Sequence, residues 1–399
     1  MDRGFFPLDE ELKLLPGRLT PLGHECLARL AGWMPFEKAE EILADFMGIA
    51  VSESLGRRYT EAAGAAYVRI QSEEVERIEQ EAPIAPKGAD KLQISADGAM
   101  VPLIHGQWAE VRTLVVGEVQ PPVKEKEEWV VHTRNLSYFS RKVNAQEFGR
   151  LALVEIQRRG VEHAKEVAAV MDGADWEQGL IDYHCPKAVR ILDFAHAAEH
   201  ISPIGESLWG ENTPETQQWL KERLHQLKHE GPSGLLTEFR QLQEQHPDAQ
   251  AVSANLPYLE KRTTQMQYPI FQAQGWPIGS GMVESGNKLV VEARLKGSGM
   301  HWADENVNPM LALRNILCSD RWKEEWPKIE NQLRQQSTQL RMKHHQSKKE
   351  PPPQVPPTLI ANFLTEPPTT EPPKIPKENP WRKFKFGRAF YQRPAPPKN

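Results

Sequence analysis

The order in which strand-like and helix-like segments follow one another constrains the fold of this chain most strongly. Three segments rich in β-branched and apolar residues lie between residues 92 and 139: LQISADGAMVPL, WAEVRTLVVGEV and EWVVHTRNLSYF. Turn or charged residues separate them, which predicts an antiparallel meander. There follow a predicted amphipathic helix, AQEFGRLALVEIQRRG, a strand running into a turn, AKEVAAVMDGADW, a short helix, EQGLIDY, and a last strand, KAVRILDF.

The resulting order, β-β-β-α-β-α-β, is that of a ribonuclease H-like α/β fold, a mixed sheet flanked by helices. A helical block interrupts this order before the final core helix, GSGMVESGNKLVVEARLKGSGMHW. We therefore predict five regions: a helical region 1–85, a first part of the core 90–198, an all-helical insertion 199–275, the final core helices 276–335, and a tail 345–399.

The helical region 1–85 carries the pattern of a helix-turn-helix. FEKAEEILADFMGI forms an amphipathic helix that Gly48 ends, and Ser52 can cap the following helix, SESLGRRYTEAAGAAYVRI. In a DNA-binding protein the second helix would enter the major groove, with Arg57, Arg58 and Tyr59 on it. A plain helical hairpin explains the same pattern equally well.

The charge of the chain is unevenly distributed. The formal net charge is −5, but twelve Lys and Arg against four Glu after residue 340 give that end +8 and leave −13 for the rest. Fourteen of residues 350–399 are Pro, so no packed core is expected there. The segment NPWRKFKFGRAFYQRP, with Arg382 and Lys383, interleaves basic and aromatic residues and could bind nucleic acid or simply act as a solubilising tail.

Two further observations limit the class of protein. The longest apolar runs, such as TLVVGEV, are far shorter than the ~20 residues that span a bilayer, and the first residues do not resemble an export signal. Three widely spaced cysteines, Cys26, Cys185 and Cys318, suggest neither a disulfide framework nor a zinc site. We expect a cytoplasmic protein with no membrane partner.

Three carboxylates fall where this fold would bring them together. Asp97 lies on the first strand, Asp172 at the end of the fourth, and Glu284 on the helix that crosses the sheet. Oxygen ligands that converge from separate elements suit Mg²⁺, and two such ions commonly assist phosphodiester hydrolysis and strand transfer.

Each carboxylate also has a plainer interpretation. Asp97 and Asp172 each precede a Gly and could belong to turns, and Glu284 could be a solvated helix residue. Small residues flank all three, in SADGAM, VMDGAD and GSGMVESG, and leave room for a metal ion and a DNA backbone.

The motifs ADGAMV, VMDGADW, ILDFAHAAEH, PIGSGMVESGNKLVVEARLKGSGMHW and NPWRKF together resemble those of the ISKra-type bacterial insertion-sequence transposases, distant relatives of the Mutator-like group. The resemblance runs from about residue 90 to residue 322, with the tail motif in addition. It implies a DDE transposase with a ribonuclease H-like catalytic core and an N-terminal DNA-binding region. One departure is Asn287-Lys288, where the family pattern has Cys-Lys.

The resemblance also implies roles for Asp172, Asp193 and His196. Asp172 matches the second catalytic Asp, while Asp193 and His196 match a separate Asp/Cys-x-x-His motif that would order the site. For His200 we favour packing on the helix face.

Three basic residues near Glu284 could act on DNA. Lys288, one turn after Glu284, could partly neutralise that carboxylate or contact DNA. Arg294 and Lys296, near a Gly-Ser-Gly turn, would hold DNA phosphates.

The expected activity is therefore that of a transposase that binds the terminal inverted repeats of its element as a homo-oligomer on double-stranded DNA. It would cleave the 3′ ends with two Mg²⁺ ions, for which Mn²⁺ could substitute, and join them to target DNA. Two alternatives remain open: a domesticated DNA-binding protein without catalysis, and a ribonuclease H-like nuclease without strand transfer.

Overall fold

A computed structural model of the chain describes residue 15, residues 19–125 and residues 128–349. The described residues up to Leu340 form one compact unit. The four regions predicted before that residue are therefore parts of one body, to which the features below belong.

A five-stranded mixed sheet forms the centre of a mixed α/β fold. Its strands are β1 (Lys91–Pro102), β2 (Trp108–Val119), β5 (Thr133–Arg141), β6 (Glu166–Met171) and β7 (Val189–Leu192), and their spatial order is β5-β2-β1-β6-β7. The first three strands pair antiparallel, and β6 pairs parallel with both β1 and β7. The predicted order of strands and helices is thus confirmed.

The start of the third long strand differs from the prediction, which placed it at residue 128. Residues Glu128–Val130 form a short strand, β4, that pairs with β3 (Val123–Glu125) in a separate two-stranded sheet. The long strand β5 begins only at Thr133, where its pairing with Val119 of β2 starts.

The helices fall into four groups. Those before the sheet are α1 (Pro21–Trp33), α2 (Phe36–Met47) and α3 (Glu53–Glu81), and those between its strands are α4 (Ala145–Arg158) and α5 (Asp175–His184). Helices α6 (Phe194–Trp209), α7 (Pro214–Glu230), α8 (Pro232–Gln245), α9 (Gln250–Lys261) and α10 (Tyr268–Ala273) follow the last strand. The final group is α11 (Gly281–Gly286), a π-helical turn (Asn287–Glu292), α12 (Ala293–Leu295), α13 (Asp304–Cys318) and α14 (Trp322–Lys349).

The two faces of the sheet are covered differently. On one face, Leu92, Ile94 and Ala96 of β1 pack against Phe148 of α4 and Leu180 of α5. On the other face, the insertion helices cover β6 and β7. The helix of Glu284, which is the continuous helical run from α11 through the π-helical turn to α12, covers β1, β2 and β5 together with α13. The boundary between these two coverings runs over β1 and β6, where the predicted catalytic Asp residues lie.

The N-terminal helices share a core with the last helices. Ala63, Ala66 and Tyr67 of α3 pack with Leu313 and Trp326 of α13 and α14, so the long helix α3 is a central element of the body. A Cβ atom on Gly64 would lie 2.2 Å from the carbonyl oxygen of Pro309, which shows how closely the backbones of α3 and α13 approach.

The predicted helix boundaries in this region are observed. Gly48 ends α2 in the left-handed conformation, with φ +65°, and the Ser52 hydroxyl caps α3 by accepting a hydrogen bond from the Leu55 amide. Tyr59, however, is buried, and its ring lies 5.0 Å from that of His24. It is a core residue in this structure and not part of an exposed reading surface.

Candidate functional site

The register of the sheet places Asp97 beside Asp172. Strands β1 and β6 pair from Lys91 with Glu166 to Ile94 with Ala169, and three further residues along the same register bring Asp97 level with Asp172. Asp97 therefore lies in the middle of β1, beside the point where the shorter parallel strand β6 has just ended. Sequence separation hides this proximity, and only the pairing of the strands creates it.

Asp97 is held by its own backbone and by the helix of Glu284. Its Oδ1 accepts a hydrogen bond of 2.6 Å from the Gly98 amide, and its Oδ2 accepts one of 2.9 Å from Nδ2 of Asn287. Burial raises the pKa of Asp97, and the carboxylates of Asp172 and Glu284 raise it further, whereas the hydrogen bonds from Gly98 and Asn287 lower it. Asp172 and Glu284 thus both lie close enough to Asp97 to disfavour its negative charge.

Glu284 extends from a helix that lies on the sheet, and its side chain is exposed. Directly after it the helix widens into the π-helical turn Asn287–Glu292, a geometry often found at functional sites. Gly286 allows the close approach of this helix, because a Cβ there would lie 2.9 Å from Cγ2 of Val115 and 3.1 Å from Cε1 of Tyr138.

Asn287 is a site residue that sequence reasoning overlooked. It occupies the position where the chain departs from the pattern of the ISKra-type transposases, and it is 5% exposed. Within the described part of the chain its Oδ1 has no hydrogen-bond partner, while its Nδ2 donates to Asp97. Its helical spacing of three residues from Glu284 was the available signal.

The Asp172 turn, Asp172-Gly173-Ala174, is hydrogen-bonded along its whole length. Oδ1 of Asp172 accepts from the Ala174 amide at 2.7 Å, and Oε2 of Glu177 accepts from the Gly173 amide at 3.1 Å. Gly173 has φ +89°, a conformation that favours glycine. The Asp172 carboxylate also lies within hydrogen-bonding reach of the carboxyl group of Glu177.

Glu177, which the sequence did not mark as a site residue, is fully buried beneath this turn. Burial raises its pKa to about 10, and the neighbouring Asp172 carboxyl adds to the rise. Its Oε1 lacks a partner in the described structure. The raised pKa favours the protonated carboxyl, which can share its proton with the Asp172 carboxylate and supports the turn without adding a charge.

Asp193 has a structural role at the junction of β7 and α6. It begins α6 and its Oδ1 accepts a hydrogen bond of 2.8 Å from the Ala195 amide, while its Oδ2 accepts one from the Ser280 hydroxyl. The Phe194 amide also bonds the carbonyl of Ile278, at 3.0 Å. Asp193 therefore fastens the end of β7 to the loop that leads into the helix of Glu284, and both of its carboxylate oxygens are used.

His196 and His200 lie beside this region on α6. Nδ1 of His196 is 3.1 Å from Glu199, and the two histidine rings are 5.1 Å apart, edge to face. His200 stacks on the ring of Tyr258 at 3.7 Å and bonds Asn255 at 2.8 Å. The packing role expected for His200 is observed.

The residues predicted to bind DNA have different environments. Arg57, Arg58 and Lys288 are exposed, and Lys296 is partly exposed and paired with Glu292 at 2.7 Å. Arg382 and Lys383 lie outside the described residues.

The structure contradicts the DNA-binding role predicted for Arg294. It is 1% exposed and donates a hydrogen bond of 2.8 Å to the carbonyl of Ala31, with its guanidinium over the rings of Phe36 and Trp302. A side chain enclosed in this way cannot contact a DNA phosphate, so that prediction is wrong for Arg294. It connects the end of α1 to the helix of Glu284 instead.

The donors around Asp97 and Asp172 are chemically suited to a hard cation, although the described residues contain no group of three His, Cys, Asp or Glu close enough to enclose one. All three predicted ligands supply carboxylate oxygens, the type that Mg²⁺ prefers. Mutual repulsion at Asp97 is the electrostatic condition that a cation would relieve. The three predicted ligands therefore have the donor atoms that Mg²⁺ prefers, and the side chain of Glu284 is exposed to solvent.

Among the described helices, none has the length and apolar character needed to cross a membrane. All three cysteines are free thiols. No model of a known protein family matches the sequence, and no curated protein is significantly similar to it.

Proposed function

We propose that this chain is a DDE transposase of the ISKra type with a ribonuclease H-like core. The observation that carries the proposal is the convergence of Asp97, in the middle of β1, and Asp172, just after β6, beneath the helix of Glu284, which Asn287 bonds to Asp97. Carboxylates from two neighbouring strands and a crossing helix supply the ligand type that metal-assisted phosphodiester chemistry uses.

The sheet topology supports the same proposal. Three antiparallel strands followed by two parallel ones form a mixed sheet in the order β5-β2-β1-β6-β7, which is compatible with a ribonuclease H-like fold. Fold alone does not determine activity, so the proposal depends on the carboxylates and on the motifs that resemble the family.

In the proposed reaction the chain's own groups position the DNA and the ions. Asp97, Asp172 and Glu284 would hold two Mg²⁺, which, when bound, activate the attacking oxygen and stabilise the leaving one. Asn287 fixes the orientation of Asp97, and exposed Lys288 is placed to contact a phosphate.

Two phosphodiester exchanges complete the proposed cycle. Water attacks the phosphorus at the transposon end, and the bond to the 3′ oxygen breaks to leave a 3′-hydroxyl. That hydroxyl then attacks a target phosphodiester, whose own 3′ oxygen leaves. Neither exchange needs a covalent protein-DNA intermediate.

Incubating the protein with Mg²⁺, labelled DNA of its element's terminal repeat and a target plasmid tests the proposal. We expect a nick at the 3′ end, followed by joined product, and loss of both in the Asp97→Asn variant with DNA binding retained. Binding without a nick would favour a non-catalytic DNA-binding protein, and a nick without joining would favour a nuclease. Either result would contradict the proposal.

A further inference from the structure

The helical insertion reaches the backbone of the Asp172 turn through two side chains. The Tyr258 hydroxyl of α9 donates a hydrogen bond to the carbonyl of Asp172. Arg262, immediately after α9, donates through Nη2 to the carbonyl of Gly173 at 2.5 Å. The carbonyls of Asp172 and Gly173 thus both receive hydrogen bonds from a segment more than eighty residues away in sequence.

The two side chains are themselves fixed in place. The Arg262 guanidinium lies 3.6 Å from the centroid of the Tyr258 ring, on which His200 also stacks at 3.7 Å. Arg262 is 7% exposed, and Nη1 bonds the Tyr258 carbonyl at 3.3 Å. Because a buried guanidinium is stable only when its donors are satisfied, these carbonyls are integral partners of Arg262.

The contact requires glycine at position 173. A Cβ there would lie 2.5 Å from Nε of Arg262 and 3.0 Å from the Tyr258 hydroxyl. Weaker contacts extend the same junction, since Lys261 lies 3.4 Å from Asp175 and Gln265 donates to Gln178 at 3.4 Å.

We propose that Tyr258 and Arg262 of the insertion are positioning residues that set the orientation of the Asp172 carboxylate for catalysis. This inference rests on the proposed function, since Asp172 acts as a ligand only in that reaction. With Glu177 bonding the Gly173 amide from below, the insertion completes the set of hydrogen bonds on this turn. The insertion therefore contributes directly to the geometry of the site.

The matched variants are Tyr258→Phe, which keeps the stacked ring and loses only the hydroxyl, and Arg262→Met, which keeps the length of the chain and loses the donors. Arg262→Lys retains the charge and one donor, and should give an intermediate effect. The control is Arg240→Met, which removes an exposed arginine that pairs with Glu260 elsewhere in the insertion.

Hydrogen exchange of the full-length protein tests the positioning without DNA or metal. We expect amides in the peptide covering residues 171–176 to exchange about tenfold faster in Tyr258→Phe than in the wild type, because one hydrogen bond on the turn is lost. Arg240→Met should leave this peptide unchanged. Equal protection in Tyr258→Phe and Arg240→Met would overturn the proposal, whether or not the protein proves to be a transposase.

Cleavage of terminal-repeat DNA then tests the catalytic consequence. We expect Tyr258→Phe to reduce the rate of 3′ nicking about tenfold and to raise the Mg²⁺ concentration for half-maximal rate, with DNA affinity unchanged. If exchange is faster in Tyr258→Phe but the wild type never nicks DNA, the proposed function is wrong, and only the stabilisation of the Asp172 turn by Tyr258 and Arg262 is supported. If nicking is normal while exchange is faster, the positioning role is refuted.

Discussion

Gly286→Ala is the substitution that tests most directly whether the helix of Glu284 must lie close to the sheet. A Cβ at this position would be 2.9 Å from Cγ2 of Val115 and 3.1 Å from Cε1 of Tyr138, both in the core. The helix or these side chains must therefore move by about 0.5 Å to reach ordinary van der Waals separation.

The expected magnitude combines two opposing effects. Alanine in place of glycine favours a helix by about 1 kcal/mol, whereas overpacking a filled core costs about 1–3 kcal/mol. We expect a net loss of about 1 kcal/mol in the free energy of unfolding. Displacing Glu284 by about half an ångström should also lower the rate of DNA nicking about tenfold.

Urea unfolding and the nicking assay measure both effects, and Gly281→Ala is the control. Gly281 precedes Glu284 on the same helix, and a Cβ there would meet no atom within 4 Å. We expect this control to be at least as stable as the wild type and equally active.

A double variant tests whether the clash with Val115 is the cause. Val115→Ala alone should cost about 2 kcal/mol, because the side chain is completely buried. Combined with Gly286→Ala, it removes the closest atom, and the two changes should cost at least about 1 kcal/mol less than the sum of the single variants. Strict additivity, or a Gly286→Ala protein as stable as the wild type, would refute the reasoning.

Three further predictions follow from the geometry. Asp172→Asn should abolish nicking with DNA binding intact, whereas Asp193→Asn should reduce it less, because Asp193 caps a helix and bonds the loop before Glu284; the reverse ranking would contradict the proposed triad. Gly64→Ala should lower the free energy of unfolding by about 2 kcal/mol or more through its clash with the α13 backbone, while Gly179→Ala, on an open helix face, should raise it by up to about 1 kcal/mol. Burial lowers the pKa of His184 to about 4, whereas the same imidazole in the unfolded chain has its ordinary pKa of 6.5. The unfolded chain therefore takes up the proton first, and the stability that the protein has above pH 6.5 falls as the pH is lowered towards 4. At pH 4.5 the free energy of unfolding from urea titrations should have fallen by about 2.5 kcal/mol less in His184→Gln than in the wild type. The same pH profile in both proteins would contradict the assignment.

The sequence predicted the succession of elements because that succession is encoded locally. Alternating apolar residues specified β1 and β2, and the pattern of α4 and α5 specified the helices between strands. Gly48 and Ser52 ended and began their helices as expected, since both act through a conformation or a hydrogen bond within a few residues. The third strand was placed too early because residues 128–130 have strand character but pair with β3.

Site residues that depend on long-range packing were harder to predict. Arg294 looked available for DNA, but a helix residue is buried or exposed according to what covers it, and α1 covers this one. Asn287 lies at helical spacing from Glu284, but the sequence could assign a role neither to it nor to Glu177, because those roles arise from contacts with Asp97 and Gly173.

By itself, then, the sequence determined the α/β order of elements and the candidate carboxylates Asp97, Asp172 and Glu284. Only the tertiary structure decided that the register of β1 and β6 brings Asp97 level with Asp172. The hydrogen bond between the Asp193 carboxylate and the Ser280 hydroxyl likewise depends on the tertiary structure. The tertiary structure also decided that Tyr258 and Arg262 contact the Asp172 turn. The physical reason is that local patterns fix backbone conformation, whereas strand register and helix docking depend on which distant surfaces pack together.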